Sequence, residues 1–156
     1  MFSDSSTTPQ TSDWSGSNFG ATTGTASLTD NYRIMQGADA PTRDEKIVVG
    51  IDASGNTSLL RWDGTSWTGI QLAGTVSETY WYGADVAYEQ LSGDAVVVWN
   101  NGSQLQYAVW DGTSWSDGAN WDTDTTPTAA PVAGCLTMAA TRDPEKPRAT
   151  LGRRSG

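Results

Sequence analysis

The chain has 156 residues, a formal net charge of −9 and a pI near 4.2, and it is rich in tryptophan, glycine, threonine, serine and aspartate. The negative charge argues against a nucleic acid partner, because a phosphate backbone would be repelled. The complete lack of histidine removes Ser-His-Asp and Cys-His catalytic arrangements and the commonest metal ligand.

Targeting signals are absent from the sequence as given. No apolar run is long enough for a membrane-spanning helix, and we expect no membrane insertion. Residues 1–5 have neither the basic region nor the apolar core of a signal peptide. The acidic composition with only two lysines suits an extracellular or high-salt setting, and simple solubility also explains it. We expect an extracellular or cell-surface location, with any export signal outside this chain. The single cysteine, Cys135, is expected to be a buried thiol.

Residues 1–20 are interpreted as the tail of a preceding repeat. Serine, threonine and glycine fill this stretch, and we expect it to be loosely ordered. Within it, residues 15–19 resemble residues 117–121, which follow the second of two identical tryptophan phrases described below.

The first full repeat is predicted over residues 21–69. A β-branched run at residues 46–51 is short enough for a buried strand, and the polar residues 52–56 form a turn by composition. The predicted strands are 32–35, ended by Gly37, then 46–51, 58–62 and 67–70.

The second repeat is predicted over residues 70–121. Its first strand is expected from residues 80–82 and 86–88. The next strands are expected at 95–99 and 104–110, with a last short one from Trp115. Asn101-Gly102 is a strong hairpin signal, because both residues tolerate positive φ. From residue 104 to residue 110 polar and apolar residues alternate, with Leu105, Tyr107 and Val109 on the apolar face.

Residues 122–156 are predicted to be a linker and a truncated third repeat. Its first strand is expected at residues 134–140. The following Arg142-Asp143-Pro144-Glu145-Lys146 resembles Arg43-Asp44-Glu45-Lys46 of the first repeat.

The two repeats share one identical phrase, Trp-Asp-Gly-Thr-Ser-Trp, in copies 48 residues apart. The aspartate can accept backbone N–H bonds across a turn, and the glycine can supply positive φ. The second tryptophan of each copy is predicted to fill the space between neighbouring repeats. The motif residues are Trp62, Asp63, Gly64 and Trp67 in the first copy, and Trp110, Asp111, Gly112 and Trp115 in the second.

Repeats of this length resemble the blades of bacterial secreted β-propellers. The phrase is also similar to the Asp-box turn of sialidase-like propellers, although the spacing from Asp63 to Trp67 is one residue short. The resemblance implies an all-β fold of tandem four-stranded antiparallel meanders, with about two full blades and partial ones beside them. It brings no catalytic residues with it.

The expected function is therefore a non-catalytic structural or binding module of a larger secreted or cell-surface protein. Its partners would be the remaining blades or other copies of the chain. One alternative is a carbohydrate-binding propeller with a glycan partner, for which the candidate stacking residues are Trp81, Tyr82 and Trp99. The first repeat has no counterpart of them, since a gapless comparison of the two repeats at the 48-residue spacing places Trp99 on Ile51. The other is a slice of a glycosidase-type propeller, whose catalytic carboxylates would lie outside this sequence or be found among Glu78, Asp85 and Glu89.

Neither a metal nor a cofactor is predicted. The oxygens of residues 52–56 loosely resemble a calcium loop. A hairpin turn is the preferred interpretation, because the second repeat has no carboxylate at the matching place.

Overall fold

The computed structural model describes Met1 and residues 6–75, 83–100 and 105–116. This part of the chain is all-β, and no helix in it could cross a membrane. Its strands are β1 (Gln10–Thr11), β2 (Thr23–Gly24), β3 (Tyr32–Asp39), β4 (Lys46–Asp52), β5 (Asn56–Trp62), β6 (Trp67–Thr75), β7 (Ala84–Tyr88), β8 (Ala95–Asn100) and β9 (Leu105–Trp110). Residues 117–156 lie outside the described part, and with them the predicted third repeat and Cys135.

Strands β3 to β6 form a four-stranded antiparallel meander, which confirms the four-strand unit predicted for the first repeat. The β-branched run of β4 is central, with β3 and β5 on either side. Asp52 ends β4 and organises the turn: its Oδ1 accepts the N–H groups of Ser54 and Asn56, each at 2.9 Å. The carboxylate therefore caps a hairpin, the interpretation preferred over a calcium loop.

The prediction that Gly37 ends the first strand of this sheet is wrong, because β3 continues to Asp39. A Cβ at Gly37 would lie 3.1 Å from Val48 Cγ2. The glycine thus makes room for the neighbouring strand. The last strand, β6, is also longer than predicted and reaches Thr75.

Strands β7 to β9 form a second antiparallel sheet of three strands. On β9 the predicted facing is wrong: Gln106, Ala108 and Trp110 are the buried residues, whereas Tyr107 and Val109 are only partly buried. Both faces of this strand are covered to some degree, so alternation of residue type did not reveal which face is the inner one. The hairpin turn at 101–104 lies outside the described residues.

The strand register corrects the gapless comparison of the two repeats. Lys46 pairs with Trp62 in the first sheet, and Ala95 pairs with Trp110 in the second. Ala95 therefore corresponds to Lys46, and by the same count Trp99 corresponds to Gly50 rather than to Ile51. The shift arises because five residues separate the pair Ile51–Thr57, whereas four separate Asn100–Leu105.

The two sheets stack face to face around one core. It unites apolar residues of both sheets, including Ile47, Val49 and Leu59 from the first, and Val97 and Trp99 from the second. The backbones approach most closely where β7 lies against β3 and β4. The sheets are thus nearest at their first strands.

A third copy of the tryptophan turn lies in the connection between β1 and β2. Trp14 pairs with Phe19 across a turn in which Gly16 has φ of 95°, and Trp14 precedes Trp62 by the same 48 residues that separate Trp62 from Trp110. Residues 15–19 thus match the turn itself, and their alignment with residues 117–121 was wrong. The cause is that Asp63 and Trp67 of the first full copy are replaced here by serine and phenylalanine.

We expect Trp115→Ala to lower the free energy of unfolding by about 2–3 kcal/mol. The Trp115 ring packs on the core between the sheets, with its centroid 5.2 Å from that of Trp110. The matched variant Trp67→Ala removes a ring that packs on Trp62 outside this core and should cost about 1 kcal/mol. Urea denaturation followed by far-UV circular dichroism measures both, and equal losses would contradict the difference between the two positions.

Candidate functional site

The densest polar cluster of the described residues is centred on the carboxylate of Glu45, which is 4% exposed between the two sheets. Arg43 donates to its Oε1 from Nε at 3.1 Å and from Nη2 at 2.8 Å. Tyr88 also donates to Oε1, at 2.8 Å. Trp110 Nε1 and Arg61 Nη1 donate to Oε2, at 2.9 Å and 3.3 Å. We call these five residues the Glu45 cluster.

The guanidinium groups of the two arginines also pack against aromatic rings of the cluster. The Arg61 guanidinium carbon lies 4.4 Å from the centroid of the Trp110 ring, and that of Arg43 lies 5.8 Å from the centroid of Tyr88. Each arginine therefore contacts both the carboxylate of the first sheet and an aromatic ring of the second. Such contacts are worth more where water is excluded.

The surroundings of Glu45 favour its ionised form. Burial alone would raise the pKa of the Glu45 carboxyl, but the hydrogen bonds from Arg43, Tyr88 and Trp110 and the Arg43 charge outweigh burial and hold this pKa below its usual value. Burial and the neighbouring carboxylate together raise the pKa of Tyr88 well above its usual range. The tyrosine therefore stays a hydrogen-bond donor.

The Glu45 cluster holds the two sheets together, and we call this set of contacts the clamp. Five donated hydrogen bonds occupy the carboxylate oxygens, which leaves little capacity to accept a proton from a substrate. The clamp joins the loop between β3 and β4 to the ends of β7 and β9. Sequence analysis missed Glu45. The only local signal was an acidic residue placed directly before a buried strand.

The repeated turns are polar caps at the edge of each sheet. Asp63 Oδ1 accepts the N–H groups of Thr65 at 2.9 Å and Ser66 at 2.8 Å, while Gly64 adopts φ of 93°. The backbone bonds from Ser66 and Thr65 lower the pKa of Asp63 to about 2. Asp111 makes the matching bonds in the second copy, and its pKa is lowered for the same reason.

The N-terminal turn reaches the same geometry with different residues. Ser15 Oγ accepts the N–H group of Asn18 at 3.1 Å, and the Ser15 N–H donates to the Asn18 carbonyl at 3.0 Å. The corresponding backbone bond from Asp63 to Ser66 is 3.2 Å long. The turn thus requires a short oxygen acceptor and not a charge.

The sugar-stacking candidates fall in different places. Trp99 is 0% exposed within the core, so its ring offers no face to a ligand. Trp81 and Tyr82 lie outside the described residues. Trp62 and Trp67 are half-buried, with ring centroids 5.6 Å apart at 46°.

Two of the carboxylates considered for catalysis, those of Asp85 and Glu89, accept hydrogen bonds from backbone N–H groups. Asp85 is buried and accepts the N–H of Val86 at 2.8 Å. Glu89 accepts the N–H groups of Leu91 and Ser92 in the turn before β8. Glu78 lies outside the described residues. Among those that are described, no three histidine, cysteine or acidic side chains group together to hold a metal ion.

A cavity of about 640 Å³ lies on the face of the first sheet that points away from the second sheet. It is bounded on the other side by the N-terminal hairpin, which β1 and β2 form. We call it the N-terminal cleft. Trp62 and Trp67 line it on the sheet side, beside Asp39, Asp44 and Lys46. Lys46 forms ion pairs with Asp39 at 3.2 Å and with Asp44 at 3.8 Å. The side chains of this cleft are far more exposed than those of the Glu45 cluster.

Comparison with protein-family models, with curated proteins and with solved structures finds no match to this chain.

We expect Glu45→Ala to lower the free energy of unfolding by about 2–3 kcal/mol at neutral pH, because two arginines and two buried donors lose their acceptor. Because the folded pKa of Glu45 lies below the usual value of 4.5, its contribution is complete above that pH and is lost as the pH falls through the folded pKa. The difference between wild type and variant should therefore shrink on acidification.

Asp44→Ala is the matched control, since this neighbouring side chain is 70% exposed and should cost no more than about 0.5 kcal/mol. Urea titrations between about pH 7 and pH 3 measure all three proteins. A Glu45→Ala loss equal to that of Asp44→Ala, or one independent of pH, would contradict the clamp.

Proposed function

We propose that this chain is a non-catalytic structural or binding module, built from β-propeller-type blades of a larger secreted or cell-surface protein. The observation that carries the proposal is the Glu45 cluster, which joins one repeat to the next through side chains that are buried or largely buried between the two sheets. A carboxylate with its oxygens occupied by donors from two sheets holds those sheets together and is poorly placed for catalysis.

The packing of the repeats supports the blade interpretation. Three turns of one geometry recur at the same spacing, and each closes the hairpin of a separate sheet. The stacked sheets come closest at β3 and β7, the first strand of each unit. A propeller arranges four-stranded sheets radially around a central channel, and two stacked sheets that converge at one edge are compatible with such an arrangement.

The secreted or cell-surface location rests on composition. The net charge of −9 with two lysines in 156 residues gives an acidic surface that resists non-specific association. The binding role follows from the architecture, since repeat proteins present long surfaces assembled from many similar units.

We expect the two sheets to stabilise each other, as neighbouring units do in repeat proteins. Hydrogen–deuterium exchange of the full chain with Glu45→Ala should show faster exchange in β7 and β9 as well as in β4 and β5. The Asp44→Ala chain should exchange like the wild type. Faster exchange confined to the first sheet would mean that the repeats are independent, and would contradict the proposed stack.

Carbohydrate binding is the second candidate function, and one observation favours it. Trp62 and Trp67 place two partly exposed rings next to carboxylates in the N-terminal cleft, the combination of apolar surface and few polar groups that ligand sites use. The glycosidase alternative has no such support, because Asp85 and Glu89 are held by backbone N–H groups.

If carbohydrate is the ligand, neutral oligosaccharides should change tryptophan fluorescence in a saturable way. Trp67→Ala should abolish the change, whereas Trp14→Ala, which removes an exposed ring outside the cleft, should retain it. A flat titration with the wild-type chain would reject this candidate and leave the structural module.

A further inference from the structure

Trp62 and Trp110 hold the same position in their two sheets. Each is the first tryptophan of its turn, and each ends a row of paired residues that crosses three strands. The rows are Asp39, Lys46 and Trp62 in the first sheet and Tyr88, Ala95 and Trp110 in the second. The surroundings of one ring can therefore be compared directly with those of the other.

The Trp110 ring is covered by a guanidinium group. The guanidinium carbon of Arg61 lies 4.4 Å from the ring centroid, and the same group donates to Glu45 at 3.3 Å. Arginine suits this place because its planar group stacks on a ring while its N–H groups pair with a carboxylate. The second sheet thus shows that this position accepts a guanidinium held by a carboxylate.

The first sheet does not repeat this arrangement within the described residues. The cation contacts with aromatic rings found there involve Tyr88 and Trp110 and not Trp62. Arg61 directly precedes Trp62, and the residue that directly precedes Trp14 in the N-terminal turn is Asp13. The N-terminal hairpin therefore has a carboxylate at the place from which the first sheet supplies the guanidinium that covers Trp110.

The N-terminal cleft beside Trp62 has an excess of negative charge. Its described lining includes three carboxylates, from Asp13, Asp39 and Asp44, and one ammonium group, from Lys46. Lys46 pairs with Asp39 at 3.2 Å and with Asp44 at 3.8 Å, whereas no residue that the structure describes forms an ion pair with Asp13. The cleft therefore combines an aromatic ring with a carboxylate that is available to a cation.

We propose that the N-terminal cleft binds an arginine side chain of a partner protein. Its guanidinium group packs on the Trp62 ring and pairs with the carboxylate of Asp13, in the place that Arg61 takes on Trp110. This inference names the partner of the proposed binding module and rests on that function. The charge of the cleft favours this occupant over a neutral sugar, which would leave the carboxylates without a counter-charge.

A protein segment fits the cleft better than free arginine. The cavity of about 640 Å³ is much larger than one guanidinium group. Its lining also includes the apolar side chains of Met35 and Val48, which neighbouring side chains of a peptide can contact. Apolar contacts around a few polar ones are the usual composition of a binding site.

The test is isothermal titration calorimetry of the full chain with a capped peptide, Gly-Leu-Arg-Leu-Gly. We expect saturable binding that weakens as the salt concentration rises, because the contact pairs opposite charges. Replacing arginine with citrulline, which keeps the planar shape and loses the charge, should abolish binding. A lysine peptide should bind about fivefold more weakly or worse, since an ammonium group offers neither a planar face nor a fork of donors.

Asp13→Arg is the sharpest variant, because it places a guanidinium group of the chain itself beside Trp62. It should raise the dissociation constant of the arginine peptide about tenfold or more. Asp94→Arg makes the same change of charge outside the cleft and should alter that constant by less than about twofold. Asp13 is exposed, so the substitution should leave the fold intact, and circular dichroism checks this.

A second pair of variants tests the ring. Trp62→Leu should also weaken binding of the arginine peptide about tenfold. Trp14→Leu, which removes an exposed ring outside the cleft, should bind like the wild type.

The other outcomes each overturn the inference in a recognisable way. Binding that is absent, or that Asp13→Arg and Trp62→Leu leave unchanged, rejects the cleft as the site. Equal affinity for the lysine peptide rejects stacking on the ring. Free arginine that binds as tightly as the peptide shows a small-molecule site and rejects the partner segment. A neutral oligosaccharide that binds where the arginine peptide does not assigns the cleft to carbohydrate.

Hydrogen exchange of the Glu45→Ala chain separates these failures from a failure of the proposed function. If the two sheets still stabilise each other, the proposed function stands without this partner. If they exchange independently, the proposed function itself is contradicted.

Discussion

The relative position of the two sheets depends on one buried carboxylate. Glu45 leaves water at the cost of desolvation, and that cost is recovered only if both sheets are in place, because its donors come from both. The apolar core could tolerate sliding of one sheet over the other, since hydrophobic contact is not directional. The five directed hydrogen bonds to Glu45 do not tolerate such sliding. The carboxylate therefore fixes the relative position of two sheets that their core alone would only hold together.

Structural features that involve residues close together in the chain could be predicted from the sequence, whereas contacts between distant residues could not. The β-branched run of β4 and the capping aspartates of the turns act within a few residues, so composition and spacing were enough to place them. Glu45 accepts hydrogen bonds from Tyr88 and Trp110, which lie 43 and 65 residues further along the chain. No feature of the sequence near Glu45 indicates these partners. The gapless alignment of the two repeats was wrong for a related reason. The hairpin of the second sheet is one residue shorter than that of the first, and this shifts the alignment of every residue in the strand before it.

The same position in two repeats can be filled from different parts of the chain. Trp99 fills the interior of the second sheet with its own ring. At the corresponding place the first sheet has Gly50, and a Cβ there would lie 3.0 Å from the ring of Tyr32. Tyr32, fixed by a 3.0 Å bond between its hydroxyl and Ser58 Oγ, covers the gap. Residue-by-residue comparison of the repeats hides this exchange, since the aromatic ring comes from a different position of the chain in each sheet.

The register also shows that the clamp is not repeated from sheet to sheet. Asp94 and Val109 stand where the first sheet has Glu45 and Arg61, so the far face of the second sheet offers a shorter acid and no guanidinium. Tandem units of similar sequence are prone to pair with the wrong neighbour while they fold. Among the described sheets, Glu45 makes this contact between one pair of units. The pairing of these two sheets is thereby specified by their interface as well as by the connection between them.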